Sequence, residues 1–159
     1  MIDYANSKIR SDFMDIYLGA KCFFCISTGT GIDAIPFIFR KPIAYIHVPF
    51  GLLPTSSEKY LVLTKHHINK KNQKELSVSE IFSSKVAYGL HSSTYENNEV
   101  ELLENTPEEI RDLAIEMDDK LTGNWIELKD DTLLQKKFWS LFYDNLKKLN
   151  CFNRTLHGK

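Results

Sequence analysis

The sequence predicts an α/β fold with a small parallel sheet of three to four strands flanked by helices. Residues 21–50 carry most of this prediction, because a short apolar run, a small-residue turn, a short apolar segment and a second apolar run follow one another there. Strand, turn, helix and strand in this order form the βαβ unit of a parallel sheet. Further strand-like segments are few, so the predicted sheet is smaller than the roughly five or six strands of a complete doubly wound domain.

The elements of the first half are predicted from their ends and their composition. Residues 11–18 form a predicted helix, with Ser11 or Asp12 as its cap and Gly19 as its stop. The apolar run at 22–26 has the composition of a strand that is buried on both faces. Pro36 restricts the helix after the turn to a short segment, because a proline inside a longer helix removes a hydrogen bond.

The second half contains further strand and helix signals. Residues 60–63 are predicted to form either a short strand or an extended loop segment, and Val100–Leu103 are predicted to form a short strand. Capping-box spacing predicts helix starts at Ser77 and Thr106. A last helix, with apolar residues at helical spacing, is predicted to begin near Asp130.

Two further stretches have no assigned helix or strand. Residues 64–75 are polar and predicted to be exposed, and residues 86–98, which carry a glycine and two asparagines, are predicted to be irregular. The predicted organisation is therefore an α/β domain over residues 1–128, a C-terminal helix at 129–150 that packs on it, and a tail at 151–159.

Composition and charge narrow the classes of partner. Of the 159 residues, 43% are apolar and 26% charged, values typical of a globular protein in water. A net charge of −1 gives no electrostatic reason to expect nucleic acid or an anionic membrane as partner. The longest apolar runs fall short of the ~20 residues of a membrane span, so no transmembrane segment is expected. Three cysteines, an odd number, suit a reducing compartment, and the predicted location is cytoplasmic.

The turn after the first predicted strand is the main candidate site. It consists of five small residues, Ser27, Thr28, Gly29, Thr30 and Gly31, and lies at the carboxyl end of a strand, where parallel sheets bind ligands. Glycines allow the backbone to approach a ligand, and free N–H groups at a helix start attract anions such as phosphate. The spacing matches neither the P-loop nor the GxGxxG fingerprint, which argues against NTP hydrolysis and classical NAD binding.

Six segments together resemble a known family. They are 4–7 (Tyr-Ala-Asn-Ser), 10–20, 26–31 (Ile-Ser-Thr-Gly-Thr-Gly), 40–42 (Arg-Lys-Pro), Lys65 with 76–81, and 105–110. In this order they are similar to the C-terminal part of a family of bacterial glycosyltransferases associated with surface polysaccharide. The central stretch also resembles the nucleotide-sugar-binding half of two-domain glycosyltransferases of GT-B type. The resemblance implies a Rossmann-like half of a GT-B architecture over residues 1–128.

The resemblance also implies a substrate and a division of labour. The turn at 27–31 would hold the diphosphate of a nucleotide-sugar donor, and the acceptor would be a glycan or lipid-linked molecule. The GT-B catalytic base comes from an N-terminal acceptor domain, so no catalytic residue is assigned here, and a separate N-terminal domain or chain is an expected partner. The nucleotide sugar is a substrate, and no resident cofactor or metal is expected.

Five residues are further candidates for contacts to donor hydroxyls or phosphate, each with a structural alternative. Asp33 is either a ligand contact or a first-turn acid that suits the helix dipole. His47 ends the second strand and either meets the ligand or is a partnered structural histidine. Lys65 is a candidate for phosphate. Glu108 and Glu109 either cap their helix or reach donor hydroxyls.

Two other functions stay open beside glycosyl transfer. One is a non-catalytic nucleotide or nucleotide-sugar binding module that acts with a partner chain. The other is a nucleotide-sugar epimerase, which is disfavoured because the pattern of those enzymes has two consecutive acidic residues and Asp33 is followed by Ala34.

Overall fold

The computed structural model describes residues 2–53 and 57–148. The predicted tail at 151–159 and the last two residues of the predicted C-terminal helix lie outside this range. Six α-helices and five strands occur in the described chain: α1 (Asp12–Lys21), β1 (Cys25–Ser27), α2 (Ala34–Ile38), β2 (Ile43–Val48), β3 (Tyr60–Thr64), β4 (His66–Asn69), α3 (Val78–Ser83), α4 (Ser92–Asn97), β5 (Val100–Leu103), α5 (Pro107–Thr122) and α6 (Lys129–Lys148). Two 3₁₀ helices, Phe50–Leu52 and Lys85–Tyr88, complete the list.

The chain divides into two compact units. The first, here called the parallel unit, consists of Met1–Lys65 and Glu104–Gly123 and contains β1, β2 and β3. The second, the antiparallel unit, consists of His66–Leu103 and Asn124–Lys159 and contains β4 and β5. The predicted α/β class with a small parallel sheet flanked by helices is confirmed, and the sheet has three strands.

The parallel sheet has the strand order β1-β2-β3. Ser27 pairs with Tyr45, and Tyr45 pairs with Val62, so all three strands run in the same direction in adjacent register. Their carboxyl ends consequently meet at one edge of the sheet, which is called the carboxyl edge below.

Strand β1 is shorter and more exposed than its composition predicts. It contains only Cys25–Ser27 and pairs on one side, with β2, so it forms an edge of the sheet. Ile26 is 44% exposed, and Cys22 belongs to the C-terminal cap of α1. The prediction of a strand buried on both faces was wrong, because a bulky apolar run does not reveal whether a second neighbour covers it.

Gly19 lies within α1 and does not end that helix. Ser11 caps α1 as predicted, its side chain accepting from the Met14 N–H, but the helix continues to Lys21. A Cβ at Gly19 would lie 2.6 Å from Cγ2 of Ile35, closer than real Cβ contacts allow. The glycine therefore permits α1 to approach α2, and packing between helices explains a residue that looks like a stop signal.

Helix α2 is short, as Pro36 predicts, and closes with a C-terminal motif. Arg40 has φ 54°, a left-handed conformation in which glycine is the usual residue. Its N–H donates to the Phe37 carbonyl at 3.0 Å, and the Lys41 N–H donates to the Pro36 carbonyl at 2.9 Å. This pair of bonds is the Schellman motif. An arginine in this conformation costs roughly 1 kcal/mol relative to glycine.

Helix α5 covers one face of the parallel sheet. Its predicted capping box forms, with Thr106 accepting from the Glu109 N–H, and Gly123 ends it at φ 80°. The buried residues Leu113 and Met117 pack against Ala44 of β2. Each such buried side chain contributes about 2 kcal/mol, so α5 is the principal cover of this face.

Strand β2 contains an irregularity at its carboxyl end. Its pairing with β3 shifts register between Tyr45 and Val48, and His47 has φ 56°. Strict alternation would place Val48 on the face opposite Tyr45, whereas both belong to one core cluster with Ile43. The irregularity is a β-bulge, a feature that redirects side chains at the ends of strands.

Two elements of the antiparallel unit were missed from the sequence. Residues 64–75 were predicted to be exposed, yet they contain β4, in which His67 is 1% exposed. Residues 86–98 were predicted to be irregular, yet they contain α4. The core of this unit is formed by Val86, Tyr95 and Val100.

Candidate functional site

The carboxyl edge of the parallel sheet gathers polar residues from four segments. The turn at 27–31 follows β1, His47 lies at the end of β2, and Lys65 follows β3 directly. Glu104 and Asn105 reach the same edge from the loop between β5 and α5. Strands about 4.8 Å apart place these groups within the span of one small ligand.

The turn has the backbone geometry that its glycines predict. Gly29 and Gly31 have φ 76° and 101°, conformations that residues with a Cβ seldom adopt. A Cβ at either position would meet no heavy atom within 4 Å, so the space above the turn is open. Ser27 is 6% exposed, and its hydroxyl accepts from the Gly29 N–H at 3.0 Å. Ser27 therefore stabilises the turn through its hydroxyl, whereas the side chains of Thr28 and Thr30 are exposed to solvent.

Asp33 is tied to the turn and to β2. Its Oδ1 accepts from the Gly31 N–H at 2.9 Å. Burial, followed by the negative charge and the hydrogen bond of the Asp33 carboxylate, raises the pKa of Tyr45 from 10.0 to about 12. Asp33 therefore has a local structural role, and its contact with a ligand stays a prediction.

The attraction of the turn for anions is smaller than the sequence suggests. Helix α2 has only five residues, and a helix of this length develops little macrodipole. The N–H groups of Gly29 and Gly31 already donate to the side chains of Ser27 and Asp33. A diphosphate at this edge would therefore depend on the exposed threonines and on positive charge from neighbouring strands.

His47 and Asn105 form a reciprocal pair. The backbone N–H of His47 donates to Oδ1 of Asn105 at 2.7 Å, and the backbone N–H of Asn105 donates to Nδ1 of His47 at 2.9 Å. The amide of Asn105 also donates to the Thr64 carbonyl at 2.8 Å. Asn105 is 7% exposed, and its partly buried hydrogen bonds hold together the ends of β2 and β3 and the loop before α5.

This pairing fixes the tautomer of His47. Because Nδ1 accepts from a backbone N–H, the proton of the neutral ring lies on Nε2. Nε2 lies 3.8 Å from Oε2 of Glu104. The neutral side chain can therefore donate a hydrogen bond at this edge, and its second nitrogen is not available as a base.

Lys65 brings positive charge to the carboxyl edge. Its Nζ lies 3.3 Å from Oε1 of Glu104, and its side chain is 23% exposed, compared with 67% for Glu104. The carboxylate thus lies between the ammonium group and the His47 ring. An ion pair with so exposed an acid is weak, so Lys65 can exchange this partner for a ligand phosphate.

Glu108 and Glu109 occupy different positions at the start of α5. Oε2 of Glu109 accepts from the N–H and the hydroxyl of Thr106 at 2.7 and 3.0 Å, which is the capping-box role. Glu108 is exposed in the first turn of the helix. Glu109 therefore caps its helix, which is the structural alternative predicted for this residue.

Two residues of this edge, Glu104 and Asn105, were not among the predicted site residues. Both directly follow a predicted strand, β5, and precede the Thr106 cap. That position is the signal available in the sequence, because polar residues between a strand and a helix cap commonly face a sheet edge. What the sequence does not show is that β5 belongs to another sheet.

Other chemistry receives less support within the described residues. Burial, followed by the charges of Cys22 and Asp33, raises the pKa of the Cys25 thiol, which disfavours a reactive thiolate. Residues 2–53 and 57–148 contain no group of three or more histidine, cysteine or acidic side chains arranged to hold a metal ion. None of the helices described is long and apolar enough to cross a membrane. No protein family, curated protein or solved structure matches this chain.

Proposed function

We propose that the chain is the donor-binding part of a GT-B-type glycosyltransferase, with a Rossmann-like half fold, that transfers sugar to a surface-polysaccharide-type acceptor. One observation carries the proposal. The carboxyl ends of three parallel strands bring the Ser-Thr-Gly-Thr-Gly turn, the Nε2 donor of His47 and the ammonium group of Lys65 to one edge. The resemblance of the ordered segments supports the same function.

In this proposal each group at the edge has a defined task. The exposed threonines of the turn donate to the diphosphate, and Lys65 neutralises charge that develops as the diphosphate leaves the anomeric carbon. The Nε2 proton of His47 donates to a phosphate or leaving oxygen. The carboxylates of Asp33 and Glu104 accept from hydroxyls of ribose or sugar. The attacking acceptor is activated by a base from the acceptor domain.

A second function, a non-catalytic nucleotide-sugar binding module, is favoured by a specific observation. Nδ1 of His47 and Oδ1 of Asp33 already accept from backbone N–H groups. Both side chains therefore act as fixed hydrogen-bonding groups and not as free bases. Such an edge holds a ligand without requiring chemistry in this chain.

Calorimetric titration with UDP, GDP and CMP tests donor binding, and Gly29→Val tests its location. The chain offers a matched control, because Gly29 and Gly123 have nearly equal φ values of 76° and 80° and both face open space. Valine at either position introduces the same backbone strain. We expect Gly29→Val to weaken nucleotide binding at least about tenfold and Gly123→Val to leave it within about twofold.

Equal affinity in the two glycine variants would remove the turn from the site. A second assay divides the two functions: release of nucleoside diphosphate from the nucleotide sugar that binds, in the presence of a glycan acceptor and a separately supplied acceptor domain. Release that disappears in Lys65→Ala supports the transferase. Binding without release under all these conditions supports the binding module.

A further inference from the structure

A hollow lies at the opposite edge of the parallel sheet from the candidate site, beside the amino ends of β2 and β3. Its volume is about 500 Å³, and its lining includes three cationic side chains, Arg40, Lys41 and Lys59, and two aromatic rings, Phe37 and Tyr60. We propose that this hollow, here called the amino-edge hollow, binds a small organic phosphate whose ester group is aromatic or apolar.

Two of the three cationic residues of the lining precede adjacent strands of the sheet. Ile43 of β2 pairs with Tyr60 of β3, and the Ile43 N–H donates to the Lys59 carbonyl at 3.3 Å. Lys41 and Lys59 therefore precede neighbouring positions on adjacent strands. Among the described residues of the lining, none is acidic. Among residues 2–53 and 57–148, none of the three cations forms an ion pair. A bound anion would relieve the repulsion between these like charges.

The conformation of Arg40 is a second, independent observation. At φ 54° it occupies the position of the Schellman motif where glycine is the favoured residue. Glycine would form the same two backbone hydrogen bonds without strain. Its guanidinium group suits a phosphate, because its planar fork makes two parallel hydrogen bonds to phosphate oxygens. A ligand bound by the guanidinium group would explain why a strained arginine occupies a position where glycine fits better.

The aromatic rings of the lining indicate the ester group of the ligand. The rings of Phe37 and Tyr60 are 6.4 Å apart, and Tyr45 braces Tyr60 edge-on at 5.5 Å. Phe37 is 49% exposed and the adjacent Ile38 is 70% exposed, so apolar surface faces solvent beside the cations. Inorganic phosphate would leave this surface uncovered, whereas an aromatic or alkyl ester would bury it.

Calorimetric titration of the full chain with phenyl phosphate and with inorganic phosphate tests the proposal. We expect saturable binding of phenyl phosphate in the millimolar range or tighter, and about tenfold weaker binding of inorganic phosphate. Arg40→Gly and Lys59→Ala should each weaken phenyl phosphate at least about tenfold. Lys74→Ala, which removes a lysine that is not part of the lining, should leave the affinity unchanged.

The thermal midpoint of Arg40→Gly separates a ligand role from a structural one. Removal of the left-handed strain should leave the midpoint equal to or above that of the wild type while phenyl phosphate affinity falls. If the midpoint falls, Arg40 supports the fold, and Lys59→Ala, whose backbone is unstrained, decides the ligand question. Gly29→Val should bind phenyl phosphate like the wild type, because that glycine lies at the carboxyl edge.

An experiment with lipid vesicles distinguishes two sources of the phosphate ester, a lipid headgroup and a soluble molecule. Flotation with phosphatidic acid vesicles that depends on Arg40 and Lys59 would identify a lipid headgroup as the source, and binding of phenyl phosphate alone would identify a soluble ester. Either result supports the amino-edge hollow. The proposal is overturned if neither phenyl phosphate nor phosphatidic acid vesicles bind the chain. It is also overturned if Arg40→Gly and Lys59→Ala bind these ligands as tightly as the wild type does.

Discussion

At the scale of single residues, Asn105 does more than any other side chain to assemble the carboxyl edge. Its amide accepts from the His47 N–H and donates to the Thr64 carbonyl, and its own N–H fixes the imidazole tautomer. These are contacts between residues up to 58 positions apart in sequence. Asparagine suits the position because one planar group supplies an acceptor and a donor in opposite directions.

A pH prediction follows from the pair formed by Asp33 and Tyr45. The pKa of Tyr45 is raised from 10.0 to about 12, so the folded chain keeps the phenol proton that the unfolded chain loses. Its contribution, on the order of 1–2 kcal/mol after solvent screening, is present in full below pH 10 and is lost as pH rises through about 12. Urea unfolding followed from neutral to alkaline pH measures this loss.

Tyr45→Phe should therefore flatten the decline of the unfolding free energy above pH 10, because the variant has no phenol to ionise in the unfolded chain. Tyr17→Phe is the control, because Tyr17 is 46% exposed on α1, and this variant should keep the slope of the wild type. A Tyr45→Phe variant that declines as steeply as the wild type would show that other groups cause the alkaline loss.

At the scale of elements, the ends of helices were the most predictable features. The capping boxes at Ser77 and Thr106 both form, because the four atoms involved belong to residues three apart. Gly123 stops α5 as the left-handed residue, whereas Gly19 lies inside α1 for a packing reason. In a sequence, a glycine can therefore indicate either the end of a helix or close packing against another helix. Only the position of the neighbouring helix in the folded chain distinguishes the two.

Elements were missed where stabilisation comes from a distant partner. Strand β4 contains two histidines and an asparagine among its four residues and has no strand pattern of its own. It forms because it pairs with β5, with His66 opposite Leu103 and Asn69 opposite Val100. Tertiary pairing of this kind overrides local propensity, and a single sequence carries no record of it.

The packing of α5 on the parallel sheet gives a prediction at the same scale. Leu113 is 7% exposed and packs with Met117 on Ala44, whereas Ile115 on the same helix is 52% exposed. Leu113→Ala should lower the unfolding free energy by about 2–4 kcal/mol, and Ile115→Ala by less than about 1 kcal/mol. Urea denaturation of both variants makes the comparison. Similar losses in the two variants would contradict α5 as the cover of this face.

At the scale of the whole molecule, the sequence predicted part of the candidate site. The turn at 27–31 and His47 were predicted because the turn follows a predicted strand and His47 ends one, and parallel strands share a carboxyl edge. Lys65 was predicted from the segment that carries the resemblance. Glu104 and Asn105 arrive from a loop that follows a strand of the other sheet, and the bulge that redirects His47 has no local signal. The part of the site that can be predicted from the sequence is therefore the part that lies at the carboxyl ends of the predicted parallel strands.

Binding at this edge should also be measurable as stability of the whole chain. A ligand that binds only the native state at 100 times its dissociation constant adds about 2.7 kcal/mol, which corresponds to a rise of roughly 5–10 °C in the thermal midpoint. We expect this rise with the nucleoside diphosphate that binds best and little change with its nucleoside, because the proposed contacts are to phosphate. Lys65→Ala should reduce the rise at equal ligand concentration, and Lys74→Ala should preserve it. An equal rise with the nucleoside, or in Lys65→Ala, would place the bound nucleotide away from the carboxyl edge.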